Sequence, residues 1–591
     1  MLEVATTGRS IHSADFPTMM SALDYAASAE TGLNFYDLRG NLSAVVRYAD
    51  LRNSSISLAG RLLAAGLEPG DRVALFADTT TEFVESFFAC MYAGLIAAPL
   101  PLPGSLGWSA AFVQNIRRIL LAAAARGILI PACYKAWFKE GIAIEGVLPL
   151  SLQDLPAAAE SRLPQIKSAD TCYLQFSSGS TRDPVGIVVS HQALMANIAG
   201  ITRDGLQLRG DDRLVSWLPF YHDMGLVGFL LVPVATQMTV DLLPTAAFVR
   251  RPFLWLDIIS RNGGTVSYSP TFGYELCLRR TEALSKSLDL SRWRIAGVGG
   301  DMVRAETLRA FAERFGEVGF RRHAFVASYG MAEATLALSF ARIESGVSED
   351  VVDLDAMEWD AMVCLAAADA IGARTRSFVR CGQILPGHEI QVRNDAGHVL
   401  PDRHVGRIFV RGPSIMKEYF RQPRATAEVL SSDGWLDTGD LGYQANGEIT
   451  LTGRTKDLIL VNGRNVWPQD IEWTVETGVD SVRSGDVAAI SSSDDQQVIV
   501  LLQCRSRDHD VRSHLVEVAA ALVRARHAID VHVKLIRPHA LPRTSSGKLS
   551  RSKARALHAS GVFEHADEAD SRIESANAED LRARVAGKEE C

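Results

Sequence analysis

The sequence predicts an α/β protein in two parts. A large N-terminal domain has sheets covered by helices and an antiparallel β subdomain; a small C-terminal α+β domain follows. Three observations predict this. The chain has 591 residues, too many for one hydrophobic core. Helix-spaced apolar runs alternate with short, wholly apolar runs through the first half, as in a sheet covered on both faces. From about Ser377 the texture turns to apolar–polar alternation, the period of half-buried antiparallel strands.

The elements follow in order. Tyr48–Leu67 has helical apolar spacing, and the turn Glu68-Pro69-Gly70-Asp71 leads it into the strand-like run RVALFA. EFVESFFACMYAGLIAAPL reads as a second helical run that ends at prolines. Short buried strands recur at Gly264–Pro270, Trp293–Gly299 and Phe325–Gly330. FVRCGQILPGHEIQVRND and VGRIFVRGP open the alternating section, which continues to Arg454. A compact unit comes next. It has strands at Leu458–Val461, Val487–Ile490, Val498–Gln503 and Val531–Ile536, with helices from about Pro468 and at Val511–Arg526. The boundary falls at Thr455–Lys456, giving domains 1–455 and 456–557. The charged tail 558–591 is expected to be a loose helix or disordered.

Composition narrows the function. Hydrophobic residues make up 47% and charged residues 22%, an ordinary globular balance. The net charge is -8 and no dense basic stripe occurs, so nucleic acid is not an expected partner. The eight cysteines are scattered without a CxxC pair, which fits buried, reduced thiols in a cytoplasmic protein and argues against zinc. The first residues lack the apolar core of a secretory signal. The most apolar stretches, Val84–Pro103 and Gly225–Pro244, are broken by prolines or polar residues and read as buried core, with no transmembrane segment expected.

The chemistry lies in five strings. In YLQFSSGSTRDPVGIVVSH (Tyr173–His191), the run Ser177-Ser178-Gly179-Ser180-Thr181 can turn N–H groups and hydroxyls toward one polyphosphate. It is not a Walker loop, since GxxxxGK[ST] is absent. SWLPFYHDMGLVG (Ser216–Gly228) presents His222 and Asp223 on a turn, with Gly225 and Gly228 allowing close packing or lining a channel. In SYGMAEATL, Tyr329 can lay its ring over a flat base, and Glu333, one helical turn on, is placed to bind Mg²⁺ with phosphate oxygens. In GWLDTGDLG, Asp440 between two turn glycines can accept both ribose hydroxyls. Arg454, in TGRTKD, can reach ribose or phosphate, and Lys456 lies where the two textures meet, a natural hinge. In LPRTSSGKLSRSKAR, Lys548 is a cation that the small domain can deliver to the α-phosphate and the acid. Each string has a plainer structural reading by itself: a serine-rich turn, a cap, an Asx turn or a basic loop.

Together and in this order, the strings resemble the adenylate-forming superfamily of acyl-CoA synthetases and luciferases, and the wording QFSSGSTR resembles its fatty acyl-AMP ligase branch. The resemblance covers nearly all but the tail, and it implies that the antiparallel β subdomain is distorted and the small C-terminal domain mobile. It implies ATP and Mg²⁺ as cofactors, with Glu333, Lys548 and His222 at the reacting centre. It places nucleotide contacts at Ser177–Thr181, Gly300, Ser328, Tyr329, Gly330, Met331, Asp440 and Arg454. The implied reaction turns a fatty acid and ATP into acyl-adenylate and pyrophosphate. The acyl group then passes to the phosphopantetheine thiol of a separate acyl carrier protein or polyketide/peptide synthase. Ala341–Phe378, acidic and then apolar, resembles the insertion that sets this branch apart from fatty acyl-CoA ligases; its implied role is to restrain the small domain and favour a carrier protein over CoA. The alternatives are a fatty acyl-CoA ligase and, from another class, a catalytically silent acyl-adenylate-binding protein. Three departures stand out. Val185 replaces a frequent Lys, which costs about 1–3 kcal/mol of phosphate contact unless Arg182 substitutes. Thr271 stands where Asn is frequent, and GVGGD (Gly297–Asp301) replaces an NGAE-like string.

Overall fold

The computed structural model describes residues 14–103, 109–135, 142, 144–157, 162–177, 184–279, 287–366, 374–461, 463–492, 497–544 and 547–563. The loop residues Ser178, Gly179, Ser180, Thr181 and Arg182, and most of the tail, lie outside these. The chain divides into two compact units: one of Met1–Gly179, Asp183–Val351 and Ser377–Thr452, the other of Ser180–Arg182, Val352–Arg376 and Gly453–Cys591.

The first unit begins as expected and then departs in one place. The helix Tyr48–Ala64 leads into the strand Arg72–Phe76. The helix Thr81–Tyr92 starts where the Thr80 side chain accepts the Phe83 N–H at 3.3 Å, and it buries Phe83, Phe87, Phe88 and Met91. The helical run does not continue to the prolines. It stops at Tyr92, and Ile96–Leu100 forms a strand parallel to Arg72–Phe76, with Pro99 opposite Leu75. The apolar run there belongs to a strand covered on both faces, whose lack of alternation conceals the change from helix to strand. This strand sits in a six-stranded sheet between Arg72–Phe76 and Thr171–Ser177.

A larger sheet carries the candidate site. Gly32–Tyr36, Val240–Leu242, Leu214–Ser216, Val266–Ser269, Ile295–Val298 and Phe325–Gly330 run parallel in that spatial order. At Phe325–Gly330 the sheet changes character, because Ala337–Phe340 pairs with it antiparallel and the strands from Thr375 onward continue antiparallel. An aromatic layer packs beneath the parallel strands. Trp217 stacks on Phe248 with ring centroids 3.8 Å apart. The polar tips of this layer bond to the strands: Trp255 Nε1 donates to Ser267 Oγ at 2.8 Å and Tyr274 Oη to the Gly297 carbonyl at 2.8 Å. Much of the stretch from Arg251 to Cys277 is thus core. The stretch Gly225–Pro244 is also buried core, built from the helix Asp223–Leu226, a π-turn at Val227–Leu231, the helix Val232–Ala235 and the strand Val240–Leu242. Among the described residues no helix is long and apolar enough to cross a membrane.

In the second unit the expected strands and helices are present. Val487–Ser491 and Val498–Gln503 pair antiparallel, and Val531–Ile536 adds parallel to the latter. The helices Pro468–Gly478 and His509–His527 pack with this sheet around Ile471, Val475, Ala519 and Val523. The segment Val352–Arg376 packs here too, although the sequence reading counts 341–378 within the first domain. Its helix Leu354–Asp360 is capped by Asp353 and buries Glu358. Arg374 grips that carboxylate with two bonds of 2.9 Å, Arg464 approaches it at 3.3 Å, and Arg376 bonds Asp470 at 2.7 Å. Trp359 and Leu365 of the same segment are exposed, while Val352, Leu354, Met357 and Val363 are buried, so its buried side holds apolar contacts beside the charged cluster.

His527 borders this cluster, with Nε2 2.7 Å from Thr474 Oγ1. Burial, and then the neighbouring arginines, push its pKa down to about 4 from 6.5. The unfolded chain therefore binds the proton first, so stability is lost as pH falls from about 6.5 to about 4, by about 3 kcal/mol for the full shift. Asp470, raised by burial from 3.8 to about 6, adds stability as pH falls over most of the same range, by about 3 kcal/mol, and so largely offsets this loss. We expect His527→Gln to gain stability relative to the unsubstituted chain as pH falls from about 6.5 to about 4, measured as denaturant unfolding of the full chain across this pH range.

Candidate active site

Three of the parallel strands direct their carboxyl ends into the candidate site. Loops converge beyond that edge in open α/β sheets, which is where such sheets bind ligands. The strand Leu214–Ser216 leads into the turn that holds His222, at the N-terminus of the helix Asp223–Leu226. His222 Nδ1 lies 2.6 Å from Asp223 Oδ1. A Cβ on Gly225 would sit 2.2 Å from the Pro219 carbonyl oxygen, so this turn closes only with glycine there. Gly228 is under no such demand: its Cβ would meet the Leu336 side chain at 3.6 Å. Gln175, on the strand that precedes the serine-rich loop, donates from Nε2 to the Tyr221 carbonyl at 2.9 Å. This ties that strand to the His222 turn.

The strand Ile295–Val298 ends in Gly299 and Gly300. A Cβ on Gly299 would lie 2.7 Å from Ser328 Oγ, and Gly300 has φ +78°. The GVGGD string thus provides close backbone approach where the usual wording has larger side chains. Thr271, after the neighbouring strand, is bridged to the same loop, with its Oγ1 3.4 Å from both the Met302 carbonyl oxygen and the Arg304 nitrogen.

The strand Phe325–Gly330 carries Ser328, Tyr329 and Gly330. Tyr329 is buried, and its hydroxyl donates to Asp440 Oδ2 at 2.8 Å. Sequence reading placed these residues separately, on base and on ribose. Their direct bond was hidden, because 111 residues separate them. Asp440 lies in the strand Leu436–Ala445, not on a turn. The register slips opposite Arg407–Phe409, and Gly439 has φ +70°. Gly439 of TGD therefore marks a bulge, which re-aims the side chain that follows.

Met331 and Glu333 come next. The expected helical turn is only a three-residue 3₁₀ turn, Ala332–Ala334, because Thr335 takes φ +71° and the chain enters the strand Ala337–Phe340. Glu333 Oε1 accepts a hydrogen bond from the Tyr419 hydroxyl at 2.9 Å. Burial, and then the Glu333 charge, push the Tyr419 pKa far above its ordinary value, so the hydroxyl stays a donor. Nothing in the sequence marks Tyr419; the string KEYFRQP has no spacing that points at Glu333.

The remaining candidates belong to the second unit. Arg454 ends the strand Glu448–Arg454, and it and Lys456 are exposed. Lys548 is half-buried on a hairpin: its carbonyl accepts the Thr544 N–H at 2.8 Å, and Gly547 takes φ +83°. Arg543 braces the hairpin by donating to the carbonyls of Gly547 and Gly485, each at 2.8 Å.

Comparison with known proteins bears on this arrangement. Residues 40–420 match the family model described as AMP-binding enzyme. A protein of Caulobacter vibrioides described as "Putative acyl-CoA synthetase" is 53% identical, over 95% of this chain and 99% of its own length. The medium-chain-fatty-acid–[acyl-carrier-protein] ligase JamA of Moorena producens is 31% identical, over 93% of this chain and 96% of its own. A solved structure from a study of fatty acyl-adenylate ligases of E. coli and L. pneumophila is 42% identical, with a TM-score of 0.89 over 94% of this chain and all of that one (100%). The strand ends that carry the family's motifs and the full-length likeness agree: the chain belongs to the AMP-binding, adenylate-forming enzymes, in their fatty acyl-AMP ligase branch, and is an AMP-forming ligase.

Proposed function

We propose that the protein activates a fatty acid with ATP and passes the acyl group to the phosphopantetheine thiol of a separate acyl carrier protein. The observation that carries this reading is the gathering of His222, Gly300, Tyr329 and Glu333 at the carboxyl ends of strands in one sheet, with Asp440 bonded to Tyr329. In the first step a carboxylate oxygen attacks the α-phosphorus. The bond to the bridging oxygen breaks and pyrophosphate leaves. In the second step the thiolate attacks the acyl carbon, and AMP departs with the electron pair of the broken C–O bond. Positioning and charge stabilisation carry the rate in such chemistry.

Tyr329 is assigned to the adenine, Asp440 to the ribose, and residues 177–181 to the departing pyrophosphate. Lys548 is assigned to the α-phosphate and carboxylate, and His222 to the boundary between acid and nucleotide. Among the described residues no cluster of three His, Cys, Asp or Glu side chains could hold a metal by itself. A single oriented carboxylate, Glu333, suits an ion shared with phosphates, as Mg²⁺ usually is. When bound, Mg²⁺ neutralises charge on those oxygens. The packing of Val352–Arg376 within the second unit supports assigning this segment to restraint of the small domain and to the choice of acceptor.

A second reading, fatty acyl-CoA ligase, is favoured by the description of the Caulobacter relative. One assay separates the two. Protein, MgATP and a fatty-acid series are followed by mass for acyl-AMP, then offered CoA or a phosphopantetheinylated carrier protein in parallel. The expected result is acyl-AMP that passes to the carrier; equal or faster turnover with CoA overturns the carrier assignment. In the same assay Lys548→Ala is expected to slow acyl-AMP formation about 10²–10³-fold while ATP still binds. Tyr329→Phe removes one hydrogen bond to Asp440 and is expected to raise the KM for ATP about fivefold, for a net bond of about 1 kcal/mol.

A further inference from the structure

The Glu333 turn is short, and its backbone takes an unfavourable path at Thr335. A glutamate on such a turn has three side-chain torsions to fix before its carboxylate points one way. One stretch of chain, Ser414–Phe420, fixes it from both backbone and side chain. Thr335 Oγ1 donates to the Ser414 carbonyl at 2.8 Å, the Met416 N–H to the Glu333 carbonyl at 2.7 Å, and Tyr419 Oη to Glu333 Oε1 at 2.9 Å. The stretch is anchored in turn. Ser414 is buried, with Oγ 2.7 Å from His388 Nε2 and accepting from Asn197 Nδ2 at 3.2 Å. Its other end runs beside Val185–Ser190, the strand that follows the serine-rich loop. There Phe420 N–H donates to the Gly186 carbonyl at 2.7 Å and Val188 N–H to the Glu418 carbonyl at 3.1 Å. One strap therefore joins the Glu333 turn to that exit strand.

We infer that Tyr419 is a positioning residue: its hydroxyl holds the Glu333 carboxylate in the orientation that receives a divalent cation shared with the nucleotide phosphates, and the strap sets this orientation relative to the strand leaving the loop. The inference rests on the assignment of Glu333 to the metal. Partners that orient a ligating carboxylate commonly alter metal affinity by about 10–100-fold when removed.

The test uses the full chain with α,β-methylene-ATP, which cannot be cleaved at the reacting bond, and Mn²⁺ as the metal, its binding followed by electron paramagnetic resonance. Tyr419→Phe keeps the ring and loses the hydroxyl. The expected result is Mn²⁺ affinity about tenfold weaker, with metal-free binding of the analogue and the thermal unfolding midpoint near those of the unsubstituted chain. Unchanged Mn²⁺ affinity in Tyr419→Phe, with weakened affinity in Glu333→Gln, overturns the inference and leaves the Glu333 assignment standing. Unchanged affinity in both overturns that assignment and the inference with it. An equal loss of metal-free binding, or a Tyr419→Phe chain that does not fold, assigns the hydroxyl to the pocket or the core and also overturns the inference.

Discussion

The strand Phe325–Gly330 is the constraint on which the first unit turns. It is parallel to Ile295–Val298 on one side and antiparallel to Ala337–Phe340 on the other. The chain must therefore reverse at once after Gly330, and little length is available for the reversal. A Cβ on Gly330 would lie 1.8 Å from the Leu336 carbonyl oxygen, and Thr335 adopts a positive φ to complete the return. This tight return leaves Glu333 on a stub rather than on a helix. The same junction brings Tyr329 against Asp440, which comes from the antiparallel half. The parallel half thus contributes Tyr329 and the antiparallel half Asp440, and one strand edge joins them.

Much of this was legible in the sequence, and the parts that were not share a cause. Periodicity located Tyr48–Ala64, Arg72–Phe76 and the second unit's strands and helices, since each has a face to solvent or a clear turn at its ends. It missed Ile96–Leu100, where burial on both faces removes the alternation. The local wording TGD suggested a turn, and a bulge uses the same Gly439 while keeping Asp440 in a strand. Motif strings identified residues one at a time. The Tyr329–Asp440 bond, the Gln175 bond to Tyr221 and the Tyr419 bond to Glu333 join residues 111, 46 and 86 positions apart, and no local pattern records such pairings.

The segment Val352–Arg376 shows the same limit from another side. Its composition, acidic and then apolar, gave no sign of ion pairing, yet Glu358 and Arg376 are buried and paired. A buried carboxylate without its partners is costly, so each of Arg374 and Arg464 is held in place by the need of the other groups. Trp359, conspicuous in the sequence, contributes little to this burial because it is exposed.

The order in which the chain is made gives this arrangement a kinetic consequence. Arg376 and Asp470 are 94 residues apart, and Ser377–Thr452 between them belongs to the first unit. During synthesis Glu358 meets Arg374 early, but it must wait in water for Arg464, and Arg376 for Asp470. The apolar core of the second unit, built between Ile459 and Val533, holds no residue of this segment among those described, so what waits for the full chain is the charged cluster. Completing that cluster closes a long loop, and such closures slow folding more than they weaken the folded state.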